Sequence, residues 1–139
     1  MILAYIDGGA RGNPGPAGYG VRIESADGQV LDELHGALGI ATNNVAEYNG
    51  LLAALTWAVD RGERRVHIRA DSELLVKQMR GEYKVKHPGL QPLYARARLL
   101  AARLDDVKFE HVRREFNKEA DRLSNLGMDE SEKQIRDAV

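Results

Sequence analysis

Asp7 and Asp71 are the first residues from which chemistry can be read. The apolar, strand-like run at 2–7 (ILAYID) ends on Asp7, and a second run at 65–70 (RVHIRA) leads directly into Asp71. Small or turn-forming residues follow both at once, Gly8-Gly9 and Ser72. If the two strands are parallel neighbours, their carboxyl ends set two carboxylates side by side. Adjacent carboxylates repel and resist joint ionisation. A bound divalent cation removes that conflict, and oxygen donors without cysteine suit Mg2+ or Mn2+ better than zinc. Taken singly, each aspartate reads equally well as a turn or helix cap. The pair is what points to a metal.

Two further acids fit the same reading. Glu47 lies in the first turns of a helix expected over 43–61, at the border of its apolar stripe. Its i+3 neighbour is Gly50, and glycine in a helix interior costs about 1 kcal/mol relative to alanine. That cost makes sense where another backbone packs closely. Asp121 falls one turn into the last helix, after Asn117. Both acids also suit the positive end of a helix dipole. Four carboxylates converging on a sheet edge would form a site for two ions, which at about 3.5–4 Å apart can hold the attacking water and the leaving oxygen of a phosphodiester displacement. Such a site needs no protein nucleophile, in keeping with the absence of cysteine and of any visible Ser-His-Asp arrangement.

The elements that must position these acids follow a clear order. Strands are expected at 2–7, 19–24 and 29–36, the last two joined at Asp27-Gly28, a strong hairpin signal. The first strand is apolar on both alternating faces, as for a central strand buried on both sides. Between it and the second lies a Gly/Pro-rich turn from Gly8 to Gly18. The helix at 43–61 carries Val45, Tyr48, Leu51, Leu52, Leu55 and Val59 at helical spacing, with Asn43 or Asn44 as cap and Gly62 as stop. A strand at 65–70, a short helix at 72–80, a long helix at 91–104 and a strand at 107–112 come next. A final helix is capped by Asn117 and runs to Gly127. Three meandering strands followed by strands alternating with helices imply an α/β fold: a mixed sheet, antiparallel on one side and parallel on the other, with helices packed on it. Ligands of such sheets bind beyond the carboxyl ends of the parallel strands, where Asp7 and Asp71 stand. Residues 1–127 make one domain, and 128–139 read as an acidic, polar tail with little to bury, a loose helix or disordered.

Composition sets the outer limits. The 139 residues are 43% hydrophobic and 29% charged, which is ordinary for one globular domain. No apolar run reaches the length of a membrane span. The N-terminus enters a strand without a signal peptide, so the expected placement is cytoplasmic. The net charge of −1 is only weak evidence against a broad basic nucleic-acid footprint, because a carboxylate site pulls the sum the other way, and the balance does not decide the question. Local clusters are more informative: Arg61, Arg64 and Arg65; Lys77, Arg80, Lys84 and Lys86; Lys108, Arg113, Arg114 and Lys118. Most such clusters are solvated faces, and one of them could track phosphates.

The motifs, taken together, resemble the type I ribonucleases H. The segment from Tyr5 to Gly20 (YIDGGARGNPGPAGYG) is similar to that family's N-terminal signature. Thr42-Asn43-Asn44-Val45-Ala46-Glu47-Tyr48 resembles its TNN…E helix start, Asp71-Ser72 its DS motif, and Arg114-Glu115-Phe116-Asn117-Lys118-Glu119-Ala120-Asp121 its late R-E-x-N-x-x-A-D segment. The four motifs occur in the family's order over nearly the whole chain. The resemblance implies the ribonuclease H-like fold, a five-stranded mixed sheet flanked by helices. It implies that Asp7, Glu47, Asp71 and Asp121 bind two Mg2+ or Mn2+ ions. It further implies cleavage of the RNA strand of RNA–DNA hybrids, leaving 5′-phosphate and 3′-hydroxyl ends. By the same resemblance, Gly8, Gly9, Arg11, Gly12 and Asn13, with Asn43 and Asn44, contact the minor groove and its 2′-hydroxyls. Thr42 helps hold a DNA phosphate, and Ser72 joins the substrate-binding set.

The sequence departs from the best-known members twice. None of its histidines stands on the loop before the last aspartate, where many members carry one. Arg114 takes that place, as in the archaeal-like and actinobacterial-like subgroup; a guanidinium can stabilise charge but cannot accept a proton. The connection from Gly81 to Gln91 is also too short for the basic protrusion that grips the hybrid elsewhere, although Lys84, Lys86 and His87 partly compensate. Weaker, steeply salt-dependent binding is expected. Some members of this subgroup also cut double-stranded RNA. A monomer is expected. Two rivals stay open here: an integrase-like or resolvase-like enzyme on the same fold, and a catalytically silent hybrid-binding module.

Overall fold

The computed structural model describes residues 1–138. Five strands, β1 (Ile2–Ala10), β2 (Gly15–Ser25), β3 (Val30–Ala41), β4 (Arg65–Ala70) and β5 (Asp106–His111), form one sheet in the order β3-β2-β1-β4-β5. β1 pairs antiparallel with β2 and parallel with β4, β2 pairs antiparallel with β3, and β4 pairs parallel with β5. The helices are α1 (Asn43–Asp60), α2 (Glu73–Met79), α3 (Gln91–Ala101) and α4 (Lys118–Asp137), with a single 3-10 turn at Arg114–Phe116. This is the mixed α/β sheet expected from the order of elements.

The pleat separates two faces. Ile2, Ala4, Ile6, Val21, Ile23, Val66 and Ile68 point to one face and are buried with Tyr48, Leu51 and Leu55 of α1 and Leu75 and Val76 of α2. Each fully buried aliphatic side chain of this kind contributes about 1.5–3 kcal/mol. α4 crosses β2 and β3 on the other face. β1 is therefore not buried evenly on both sides: Leu3 and Tyr5, whose side chains lie beyond the start of α4, are only half-buried.

Several boundaries differ from the sequence reading. The glycine-rich stretch 8–18 is mostly strand, because Gly8, Gly9 and Ala10 pair with Tyr19, Gly18 and Ala17. Only residues 11–14 form the turn, with Gly12 at φ +79°. Thr42, not Asn43 or Asn44, caps α1: its side chain accepts a hydrogen bond from the Val45 N–H. Asn117 precedes α4 but makes no side-chain capping bond. α4 does not stop at Gly127. It continues to Asp137 and buries Met128 and Ser131. The physical reason is close packing: a Cβ on Gly127 would lie 2.4 Å from the Gly36 carbonyl oxygen. The expected tail is thus helical over 128–137; its last residue, Val139, lies outside the described residues.

Candidate active site

β1 and β4 run parallel with Ile6 opposite Ala70. The next residue of each chain segment, Asp7 and Asp71, therefore emerges at the same level of the sheet. α1 brings Glu47 to them by backbone-to-backbone contact. A Cβ on Gly8 would lie 2.3 Å from the Ala46 carbonyl carbon, and one on Gly50 would lie 3.1 Å from the Asp7 carbonyl oxygen. The glycine expected to mark close approach does so. Asp121 arrives from the opposite face. Its N–H bonds to the Asn117 carbonyl, while the Asn117 side-chain N–H donates at 2.9 Å to the Ile6 carbonyl. Asn117 thus pins the start of α4 to the strand residue preceding Asp7. All four acids line one cavity of about 410 Å³, together with Gly8, Gly9, Ala10, Arg11, Asn43, Arg114, Ser124, Asn125 and Met128.

The electrostatics are those of crowded acids. The pKa of Asp7 is pushed up to about 8, by burial first and then by the Asp71 charge; a hydrogen bond from Ser124 opposes the rise, and Asp121 adds to it. That of Glu47 is pushed up to about 7 by burial, against a hydrogen bond from Ser72, with Asp71 adding its repulsion. Among the described residues no cationic side chain forms an ion pair with any of the four: Arg11 of the cavity wall pairs with Asp129 and Glu132, and Arg114 pairs with none of them. Buried, unneutralised carboxylates are costly, and a cation is the group that would relieve the cost. The donor set is all oxygen, which fits a hard divalent ion. As the side chains stand, no three His, Cys, Asp or Glu residues among those described are grouped closely enough to hold an ion by themselves; Mg2+ is generally held by one or two carboxylates together with waters and substrate phosphates.

The remaining candidates fall into three groups. Asn43 and Asn13 are locked by their oxygens. Ala10 N–H donates to Asn43 Oδ1 at 2.7 Å, and Asn43 N–H donates to Asn13 Oδ1 at 3.0 Å. Their amide NH2 groups have no protein partner among the described residues, so both asparagines offer donors outward. Asn44 is exposed beside them, and Gly12 forms the tip of the turn. Thr42 and Ser72 cap α1 and α2, and Ser72 also reaches Glu47. Arg11 lines the cavity and is also held within the chain. Its guanidinium contacts Asp129 at 2.6 Å, Glu132 at 3.0 Å and Asn125 at 3.1 Å, tying the turn to α4. Arg114 reaches the cavity wall from the 3-10 turn. Sequence reasoning missed Ser124, Asn125 and Met128. The available signal was their spacing of three, four and seven residues from Asp121, one face of a helix.

Residues 5–127 match the family model described as Reverse transcriptase-like. The chain is 52% identical over 129 residues to the bifunctional protein Rv2228c of Mycobacterium tuberculosis, covering 92% of this chain and 35% of that protein. It is 43% identical over 130 residues to Ribonuclease HI of Halobacterium salinarum, covering 94% of this chain and 65% of that protein. It therefore spans about a third of the mycobacterial relative and just under two thirds of the archaeal one. Among solved structures, the N-terminal RNase H domain of Rv2228c aligns with TM-score 0.93 and 47% identity over 96% of this chain and 97% of that one. LC11-RNase H1 in complex with RNA/DNA hybrid aligns with TM-score 0.89 and 43% identity over 94% and 99% of the two chains. Sheet order and acid-lined cavity define the class, a ribonuclease H-like domain. Within it, the chain belongs to the family described as Reverse transcriptase-like, and its similarity runs to RNase H1 structures and an archaeal Ribonuclease HI.

Proposed function

We propose that this chain is an endoribonuclease that hydrolyses the RNA strand of RNA–DNA hybrids with two divalent metal ions, leaving 5′-phosphate and 3′-hydroxyl ends. The observation that carries this reading is the cavity where Asp7, Glu47, Asp71 and Asp121 meet, none of them in an ion pair among the described residues. These four carboxylates would hold Mg2+ or Mn2+. The bound ions would supply an activated water and stabilise charge on the leaving oxygen.

The protein's own residues bind and orient the duplex. The outward NH2 groups of Asn13 and Asn43, with Asn44, present donors to the acceptors of a minor groove and its 2′-hydroxyls, which distinguish RNA from DNA. Gly8, Gly9 and Gly12 let a backbone approach closely. Thr42 would help hold a phosphate of the DNA strand, and Ser72 would join the substrate-binding set, each through its hydroxyl at the start of a helix. Arg11 braces the turn that carries Asn13. Arg114 supplies a positive charge at the cavity rim for the scissile phosphate and for release of product. The connection between α2 and α3 holds no helix, and exposed Lys84, Lys86 and His87 supply its only added grip. All four acids come from one chain, so a monomer holds a complete site. A cytoplasmic setting suits a chain without cysteine, in which no described helix is long and apolar enough to cross a membrane.

The test is cleavage of an end-labelled RNA–DNA hybrid with Mg2+ or Mn2+, beside single-stranded RNA, double-stranded RNA and duplex DNA. Metal-dependent cutting of the RNA strand, lost in Asp7→Asn, is the expected result. Cutting of double-stranded RNA as well would extend the substrate range. Preference for duplex DNA would favour an integrase-like enzyme, and hybrid binding without cutting under either metal would favour a binding module.

A further inference from the structure

Ser124 stands in an unusual position on the cavity wall. Its Oγ lies 3.1 Å from Asp7 Oδ2 and 2.8 Å from the Asp121 carbonyl oxygen. A serine hydroxyl carries a single proton, and inside a helix that proton commonly goes to the carbonyl a turn earlier. Here that carbonyl has other donors. The Asn125 N–H faces it in the helical ladder, and the Asn125 side-chain N–H donates to it at 3.0 Å. Asp7, by contrast, has only a carboxyl–carboxyl contact with Asp121 besides Ser124, so Ser124 is its one hydroxyl donor among the described residues. Once a cation keeps Asp7 ionised, a hydrogen bond to this charged acceptor is roughly twice as strong as one to a neutral acceptor. The hydroxyl is also fixed in place. Ser124 is 1% exposed, and its backbone sits against Gly20, where a Cβ would lie 2.4 Å from the Ser124 nitrogen.

We propose that Ser124 is a positioning residue for the metal site: its hydroxyl holds the Asp7 carboxylate in one orientation for cation binding. The inference rests on the reading of Asp7 as a metal ligand. Carboxylates that bind metals are generally oriented by such outer hydrogen bonds, and loss of one typically weakens metal binding about 10–100-fold. A serine that only satisfied its own helix would have no such effect.

The test is titration calorimetry of Mn2+ into the full chain without nucleic acid, for wild type, Ser124→Ala and Asp7→Asn. Ser124→Ala should bind Mn2+ about tenfold more weakly, and the Mg2+ concentration for half-maximal hybrid cleavage should rise by a similar factor. Its melting temperature in EDTA should stay close to wild type, because alanine favours helix and the Asp121 carbonyl keeps its other donors. Wild-type Mn2+ affinity in Ser124→Ala overturns the proposal, whether or not the melting temperature falls. Loss of binding in Asp7→Asn keeps the metal reading standing in either case. A wild-type chain that takes up no Mn2+ overturns both.

Discussion

Asp7→Asn separates function from stability. Asp7 is buried, and without metal its pKa is pushed up to about 8 from an ordinary 3.8. The folded, metal-free chain therefore binds a proton at Asp7 that the unfolded chain has already lost over most of the range from about pH 4 to about pH 8. Because the folded state holds more protons in that window, stability falls as pH rises through it. Each tenfold difference in proton affinity between the two states is worth about 1.4 kcal/mol, so the ceiling is several kcal/mol. Sharing of the charge with Asp71 and Asp121 leaves about 1–3 kcal/mol as a reasonable expectation for one group. Asparagine keeps the shape and a hydrogen-bonding oxygen for Ser124 while removing the charge.

Asp7→Asn should therefore melt about 3–10 °C above wild type in EDTA at about pH 8, with the difference shrinking as the pH is lowered toward the ordinary carboxylate range. Mg2+ should raise the melting temperature of wild type at the same alkaline pH and leave the variant unchanged. Hybrid cleavage by the variant should be lost. Thermal melts at several pH values, with EDTA and with Mg2+, read the first two effects, and a gel assay reads the third. A variant that melts below wild type in EDTA at the alkaline end refutes the claim that crowded charge strains this site. Retained cleavage by the purified variant refutes the metal assignment.

Three other perturbations probe the scaffold and the rim. Ser131→Ala should cost about 2–3 kcal/mol in urea unfolding, because the buried Ser131 hydroxyl accepts from the Leu38 and Gly39 N–H groups and donates to the Ala17 carbonyl. Gly8→Ala should cost a similar amount and lower cleavage together with stability, since its Cβ would strike the α1 backbone at Ala46. Arg114→Ala, at an exposed position, should leave the melting temperature unchanged and slow turnover about tenfold if the guanidinium stabilises developing charge; unchanged turnover would remove Arg114 from the mechanism.

The acids were legible because each motif encodes its own placement. An aspartate at the end of an apolar strand run can face only the sheet edge, and two such runs, when parallel, leave few ways to keep their ends apart. Gly50 announced the close passage of a second backbone, found at the Asp7 carbonyl. Capping was less legible. Thr42, Asn43 and Asn44 are all good caps by type, and the choice of Thr42 depends on Asn43 being claimed by Ala10 across the turn, a tertiary contact. The anchoring of Arg11 was hidden for a related reason. Its partners Asp129 and Glu132 lie over a hundred residues away, on a segment whose polarity suggested nothing to bury.

That segment shows how a polar sequence can carry a packing face. Ala120, Ser124, Gly127 and Ser131 recur at intervals of four, three and four residues, and all four are buried. Opposite them, Gly18 and Gly20 share one face of β2, and the Gly36 carbonyl of β3 lies against Gly127. Cβ atoms on Gly18 and Gly20 would each lie 2.4 Å from the α4 backbone. Helix and sheet meet through small residues with backbones nearly touching, so little apolar bulk is needed and hydropathy fails to register the interface. The same seam sets the chemistry. Leu38 is the extra residue where the β2–β3 register shifts, and Ser131 takes its unpaired N–H. Two turns earlier on the same stripe, Ser124 meets Asp7. Helix α4 is thus held at the depth its small residues allow, and that depth brings Asp121 and Ser124 to the first aspartate.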